Sequence, residues 1–240
     1  MSNVLKPVAR RVFPVIIAID TSGRMAGTKI ATVNVCMKKI IDKLKKESED
    51  WQDMDLKIGI LKYSDDAEWI TGDRLVSVND FCWKDVEAGG LSNLGTAINE
   101  IESKLSRKEY LVSETGFYPP AIIFVGDGCS TDDWQTALKN ANDNIWFKNA
   151  RKFVITVGDD VDTDAFKRIT YPEAIIKSDE IDSLPFLISS VSLDIPSHRD
   201  ILAPERETDI VTVDSNCLNS DSDNDSDNWD ADAWNDDVWN

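Results

Sequence analysis

The chain has 240 residues, of which 42% are hydrophobic, and it carries a formal net charge of −18. This length allows one domain of ordinary size or one domain with an appendage, and no apolar run reaches the roughly 18 residues of a membrane-spanning helix. The acidic balance argues against nucleic acid as a partner, because binding to phosphates requires a basic face.

The N-terminal residues contain no apolar signal-peptide core, so we expect a cytoplasmic protein without a membrane partner. The cysteines stand far apart with no CxxC pair, which predicts isolated reduced thiols rather than a metal finger or a disulfide framework. The single histidine, His198, is expected at the surface near the end of the folded domain. The four cysteines are Cys36, Cys82, Cys129 and Cys217.

The negative charge is concentrated at the C-terminus. Residues 200–240 contain 13 acidic residues and one basic residue, so this segment carries −12 of the total charge of −18. Within it, residues 219–228 consist only of Asp, Ser and Asn, a composition that cannot form a core. We therefore predict a lead-in over residues 1–12, one folded domain over 13–197 and a disordered acidic tail over 198–240.

The first predicted strand is the unbroken apolar run Val15–Ile19, which ends at Asp20. A strand without polar alternation is typically covered on both faces, as in a parallel sheet between helices. Apolar residues at helical spacing predict a helix over 27–49. A second strand follows over 56–63, and short extended segments within 68–76 suggest a hairpin-like edge.

The second half of the chain alternates helices and strands in the same way. A helix over 94–108 precedes the apolar strand 121–125, and Asp127 follows that strand closely. This alternation predicts a doubly wound, mainly parallel α/β sheet flanked by helices. The remaining predicted elements are a helix over 132–147 capped by Ser130 or Thr131, a strand over 152–158, a short helix over 163–169, a strand over 173–176 and a closing helix over 183–193.

Three polar loops precede helices of this predicted fold, and two of them directly follow buried strands. Asp20 and Ser22 follow the first strand, Asp127 follows the strand over 121–125, and Ser92 lies just before a helix. In open α/β sheets, ligands bind beyond the carboxyl ends of the strands. Carboxylate and hydroxyl oxygens are the ligands that Mg²⁺ and Mn²⁺ prefer, so these four residues are candidate metal ligands.

These segments resemble the metal-ion-dependent adhesion site (MIDAS) of von Willebrand factor A domains. The family pattern is Asp-x-Ser-x-Ser, then a distant Thr, then an Asp commonly followed by Gly. Here it reads Asp20-Thr21-Ser22-Gly23-Arg24, then Ser92, then Asp127-Gly128. The resemblance covers residues 13–193. The segment 118–134 is also similar to that of the bacterial tellurium-resistance TerY-like proteins.

Two positions depart from the family pattern. Ser92 keeps the hydroxyl of the usual Thr, whereas Arg24 replaces the second Ser with a group that cannot ligate a cation and that repels one. Arg24 can pair with Asp20 or Asp127, or it can turn to solvent while the other ligands hold a cation through extra water molecules. The resemblance therefore implies a Mg²⁺ or Mn²⁺ cofactor, and Arg24 is expected to weaken or abolish the binding of this ion.

The resemblance also implies a non-catalytic module that binds protein partners at this crevice. Within the crevice, we expect Arg24 and Asp127 to be among the partner contacts. TerY-like proteins are linked with protein kinase and PP2C-type phosphatase partners in bacterial stress, tellurite-resistance and defence systems. The resemblance to them therefore implies such partners here.

Three alternatives remain open at this point. One is a Mg²⁺-dependent phosphohydrolase with Asp20 as nucleophile, although Ser22 stands where such enzymes have a second acid. Another is a nucleotide-binding α/β domain, although neither a G-x-G-x-x-G nor a Walker loop is present. The third is structural: Asp20 and Asp127 simply cap the helices that follow them.

The tail contains a repeated Asp-x-Trp pattern at a spacing of five residues, which ends at Trp229, Trp234 and Trp239. This period matches neither a helix face nor strand alternation. Aromatic anchors among acidic residues are typical of a segment that docks on a basic protein surface. That surface is either another protein or the lysine-rich predicted helix of the same chain, which contains Lys38, Lys39, Lys43, Lys45 and Lys46.

Overall fold

The structure is a computed structural model that describes residues 10–51 and 53–184. Its core is a seven-stranded sheet. The strands are β1 (Arg11–Asp20), β2 (Met54–Tyr63), β3 (Ala67–Trp69), β4 (Val76–Ser77), β5 (Ala121–Gly126), β6 (Arg151–Thr156) and β7 (Ile175–Lys177). The helices are α1 (Thr28–Asp50), α2 (Leu94–Lys104), α3 (Trp134–Ala141), α4 (Ile145–Asn149) and α5 (Thr163–Ile169).

The sheet is mainly parallel, as the alternation of elements predicted. Its strand order is β3-β2-β1-β5-β6-β7, and β2, β1, β5, β6 and β7 run parallel to one another. The short strands β3 and β4 both pair antiparallel with β2, at Leu61↔Trp69 and Ile58↔Val76. β2 and β3 thus form a hairpin across residues 64–66, as predicted, whereas β4 pairs separately with β2.

Strand β1 lies inside the sheet and is buried on both faces. Phe13 and Ile17 belong to the core layer that also contains the buried face of α1, while Ile16 belongs to the opposite layer with α2. All three side chains have 0–1% exposure. The absence of polar alternation in this strand thus has the predicted cause, a layer of helices on each side.

Two predicted helices differ from the structure. The helix expected over 132–147 is interrupted, because the Asn144 side chain caps a new helix by accepting the N–H of Trp146 at 2.9 Å. The same side chain donates to the Leu105 carbonyl at 3.1 Å. Asn side chains compete with helical backbone bonds in this way. Helix α2 ends at Lys104 instead of residue 108.

Several predictions concern residues outside the described part. Most of the closing helix over 183–193, the domain end near residue 197, His198, Cys217 and the acidic tail with its tryptophans all fall there. Within the described residues, no helix is both long and apolar enough to span a membrane.

The strand order fixes where a ligand can bind. The chain passes from β1 to β2 on one side and returns to β5 on the other side of β1. The loops after β1 and β5 therefore diverge at a topological switch point, where open α/β sheets have their binding crevice. Asp20 is the last residue of β1 and Asp127 directly follows β5, so both acids lie at this edge.

Candidate functional site

Asp20 connects two of the three predicted loops. Its side chain is 1% exposed, and its Oδ1 accepts the backbone N–H of Ser22 at 2.8 Å. Its Oδ2 accepts the hydroxyl of Ser92 at 2.9 Å. The structure thus brings together three of the predicted ligands, although 72 residues separate Asp20 from Ser92.

Asp127 is fully buried and faces two cations. Its Oδ1 accepts the N–H of Cys129 at 3.1 Å. Its Oδ2 lies 2.9 Å from Nζ of Lys29 and 3.3 Å from Nε of Arg24. Of the two acids that Arg24 was expected to reach, the structure selects Asp127, through a single nitrogen rather than a bidentate pair.

Lys29 was not identified from the sequence. It lies in the first turn of α1, and its side chain is only 15% exposed. Its Nζ also lies 2.7 Å from Oδ1 of Asp160, a carboxylate in the loop after β6. Burial lowers the pKa of Lys29, but the hydrogen bonds to Asp160 and Asp127 outweigh it and the net shift is upward. The ammonium group is therefore held in its charged form.

Asp160 completes a chain of alternating charges. It lies 3.8 Å from Nη2 of Arg24, and its own side chain is 67% exposed. The hydrogen bond from Lys29 lowers the pKa of Asp160. The order from the interior outwards is thus Asp127, then Lys29 and Arg24, then Asp160.

The hydroxyl of Ser22 is a second unexpected feature. Ser22 is 1% exposed, and among the described residues its Oγ has no hydrogen-bond partner. Leaving a buried hydroxyl unpaired is unfavourable, and native structures contain few such groups. This oxygen is therefore available to a ligand.

Backbone hydrogen bonds hold the loop of Ser92 against the loop after β1. Gly23 donates to the carbonyl of Gly90 at 2.9 Å, and Gly89 donates to the carbonyl of Thr21 at 2.8 Å. Because these contacts do not depend on side chains, the sequence contains no simple signal for them.

The loop after β5 supports Ser92 from the other side, and here the predicted cap is wrong. Ser130 and Thr131 donate their hydroxyls to the carbonyl of Ser92 at 3.1 and 3.0 Å. Helix α3 is instead capped by Asp133, which accepts the N–H of Thr136 at 3.2 Å. The hydroxyls thus position the site, while an acid one residue before the helix satisfies its first turn.

The structure also contradicts the alternative in which Asp20 and Asp127 are helix caps. Each carboxylate accepts the N–H two residues later, at Ser22 and Cys129, and neither accepts a backbone N–H from the first turn of α1 or α3. These are local turns that orient the carboxylates.

Burial raises the pKa of two groups in the site, Asp20 and Cys129. Burial raises the pKa of Asp20, and the hydrogen bonds from Ser22 and Ser92 partly oppose this shift. Burial and the neighbouring Asp127 also raise the pKa of the Cys129 thiol. Cys129 thus lacks the stabilised thiolate of a reactive cysteine.

The residues fit a divalent cation only in part. Asp20, Ser22 and Ser92 offer oxygen ligands, and the Ser22 hydroxyl is unpaired. Oδ2 of Asp127, however, already lies within 3.3 Å of two positive groups. Two unit charges about 4 Å apart interact by roughly 1 kcal/mol in water and by roughly 4 kcal/mol at an effective dielectric constant of 20. A cation beside Asp127 does not fit this arrangement.

Comparison with known proteins gives one family. The sequence profile of the von Willebrand factor type A domain matches residues 15–189. Curated protein sequences give no significant match.

Solved structures of the same fold come from several sources. The aerotolerance-related membrane protein of Bacteroides fragilis is 15% identical with a TM-score of 0.52, over 76% of this chain and 100% of that chain. The pilus adhesin SpaC of Lactobacillus rhamnosus is 11% identical with a TM-score of 0.55, over 75% of this chain and 30% of that chain. Proximal thread matrix protein 1 of the mussel byssus, with zinc in its MIDAS motif, is 11% identical with a TM-score of 0.51, over 76% of this chain and 48% of that chain. At these identities the comparisons establish the fold alone.

Proposed function

The chain belongs to the von Willebrand factor type A domain family, and from this premise we propose that it is a non-catalytic module that binds protein partners at the crevice described above. One observation carries the proposal: a half-exposed Arg24 pairs with the fully buried Asp127 at the carboxyl edge of the sheet. A fixed, desolvated carboxylate orients the guanidinium, and Arg side chains held in this way are common anchors of protein interfaces.

The finer identity of the module rests on the resemblance of residues 118–134 to TerY-like proteins. We propose that this chain is of that type, acts in the cytoplasm, and has a protein kinase and a PP2C-type phosphatase among its partners. Bacterial stress, tellurite resistance or defence is the proposed setting.

In this proposal the domain over residues 13–197 binds the partner at the crevice, and the tail over 198–240 makes a second contact with the partner. In the tail, Trp229, Trp234 and Trp239 anchor on a basic surface of the partner, and the surrounding acidic residues steer the encounter.

A binding role is favoured over hydrolysis by the state of Asp20. A nucleophile must reach its substrate, but Asp20 is 1% exposed and both of its oxygens accept hydrogen bonds. Ser22, two residues later, cannot replace the carboxylate that acts as acid and base in Asp-dependent phosphohydrolases. A phosphatase assay with Mg²⁺ tests this alternative directly.

The binding proposal is tested by capture of a purified candidate kinase and PP2C-type phosphatase on the immobilised full chain. Asp127→Ala and the surface variant Arg24→Glu should each reduce capture by about tenfold or more. The first removes the carboxylate that orients the guanidinium, and the second removes the guanidinium itself. Replacing the three tail tryptophans by alanine should weaken capture separately.

Asp143→Ala is the matched control, since Asp143 is an exposed acid with no side-chain contact observed in the described residues. Each variant is first compared with the wild type by circular dichroism. Undiminished capture by both crevice variants would exclude the crevice as the partner site.

A further inference from the structure

The buried part of the crevice contains a charge balance of its own. Asp20 and Asp127 are 1% and 0% exposed, and isolated buried carboxylates are strongly unfavourable. Lys29 and Arg24 supply two positive charges at 2.9 and 3.3 Å from Asp127. Asp127 is thus matched without any further ion, whereas Asp20 accepts hydrogen bonds from Ser22 and Ser92 and contacts no cation in the described residues.

The absence of a side chain at Gly158 leaves room for the side chain of Lys29. Gly158, in the loop after β6, has a φ of +94°, and a Cβ at this position would lie 2.6 Å from Cε of Lys29. Asp160 in the same loop then holds Nζ at 2.7 Å. Two residues of one loop therefore fix the ammonium group beside Asp127.

The remaining ligands are those of an oxygen site that has kept its shape. Asp20, Ser22 and Ser92 adjoin one another, and the Ser22 hydroxyl has no partner among the described residues. The misfit to a divalent cation thus comes from Lys29 and Arg24, not from loss of the other ligands.

We propose that Lys29 and Arg24 together take the place of the divalent ion of this site, so that the crevice is assembled and works without metal. Both groups contact Oδ2 of Asp127, Lys29 from a mostly buried side chain and Arg24 from a half-exposed one. This inference concerns the crevice of the proposed function, but its test measures metal binding and stability, so either proposal can fail without the other.

The test is metal binding and metal rescue in the full chain. Wild type, Arg24→Ser, Lys29→Met and the double variant are titrated with MnCl₂ by calorimetry, and their melting temperatures are measured with EDTA and with MnCl₂. Removing each positive charge should tighten Mn²⁺ binding by at least about tenfold, since the repulsion of a divalent ion by one unit charge exceeds 1.4 kcal/mol at this range.

The double variant should melt at a lower temperature in EDTA and should regain stability in MnCl₂, because Mn²⁺ then neutralises the two carboxylates. Adding Asp127→Asn to the double variant should abolish this rescue. The wild type and Arg24→Lys, which keeps the charge, should melt at the same temperature with EDTA and with MnCl₂. Lys38→Met, which removes a lysine elsewhere on α1, should behave as the wild type does.

Binding of Mn²⁺ by the wild type as tightly as by the double variant would overturn the proposal. The same conclusion would follow from single variants that fold normally and show no gain in Mn²⁺ affinity, and these variants keep the test open if the double variant fails to fold.

Discussion

The backbone of Asp162 closes directly over Gly128 in the loop after β5. Asp162 donates its N–H to the carbonyl of Asp127 at 2.8 Å, and its own carbonyl oxygen occupies the space that a Cβ on Gly128 would need. Gly128 also has a φ of +82°, where residues with a side chain are strained. The residue after the buried acid of the site is therefore restricted to glycine for two reasons.

Gly128→Ala should lower the free energy of unfolding by about 2–5 kcal/mol, from left-handed strain together with the steric overlap. Gly72→Ala is the matched control, since Gly72 has a φ of +77° and no atom within 4 Å of an added Cβ. It should cost only about 1–2 kcal/mol. Urea denaturation measures both, and equal losses would show that the contact with Asp162 is unimportant.

Asp20→Asn should stabilise the protein at neutral pH while removing the charge that the site uses. Burial raises the folded-state pKa of Asp20 above 3.8. As the pH rises from 3.8 to the higher pKa of the folded state, the unfolded chain loses this proton before the folded chain does. The contribution of Asp20 to stability therefore falls as the pH rises. Asparagine can still accept from Ser22 and can donate to Ser92, but it carries no buried charge.

We expect Asp20→Asn to melt about 2–4 °C above the wild type at neutral pH, or roughly 1 kcal/mol for a domain of this size. The difference should vanish below pH 3.8, where the wild-type carboxyl is protonated in both states. Asp143→Asn, at an exposed acid, should show neither effect. A lower melting temperature for Asp20→Asn at neutral pH would mean that ionised Asp20 is stabilising.

Lys152, at the opposite end of the sheet, should make stability depend on pH in the alkaline range. Burial lowers the pKa of Lys152 from 10.5 to about 8, and its Nζ donates to the Phe147 carbonyl at 2.7 Å. Lys152 lines a surface groove. The other charged residues of this groove are the cations Lys148, Arg151, Lys167 and Arg168 and one acid, Glu173.

Between pH 8 and 10.5 the unfolded chain binds more protons at this lysine, so its contribution to stability rises with pH. The slope is at most about 1.4 kcal/mol per pH unit. Lys152→Met should lose this component, which urea denaturation at about pH 7 and about pH 10 can measure against the wild type. Lys148→Met serves as the control, and parallel pH profiles for wild type and Lys152→Met would contradict the prediction.

The fold was predictable because its central strands have simple patterns. The runs Val15–Ile19 and 121–125 contain no polar residue, and each is followed by an acid, so strand type, burial and the site edge follow from composition and order alone. The break between α3 and α4 was missed because a helical apolar period continued across it. The Asn144 cap that interrupts the helix depends on a contact with Leu105 that the period does not contain.

The placement of the candidate site residues was predictable only where local motifs define it. Asp20, Ser22, Ser92 and Asp127 were found from their positions after strands or before helices, and the structure brings them to one edge. Lys29 was missed because 98 residues separate it from Asp127, and no sequence period records which buried acid a lysine reaches. The choice of Asp127 over Asp20 as the partner of Arg24 depends on the same tertiary geometry.

The central position of β1 has a consequence for the order of folding. β1 can pair with β2 as soon as residue 63 has been synthesised, but its other edge stays open until β5 is available at residues 121–126. Pairings between distant segments form slowly, and an open strand edge invites contacts with other chains. In the growing chain the crevice can therefore form only after residue 127: a nascent chain that stops before β5 exposes the edge of β1 and lacks Asp127.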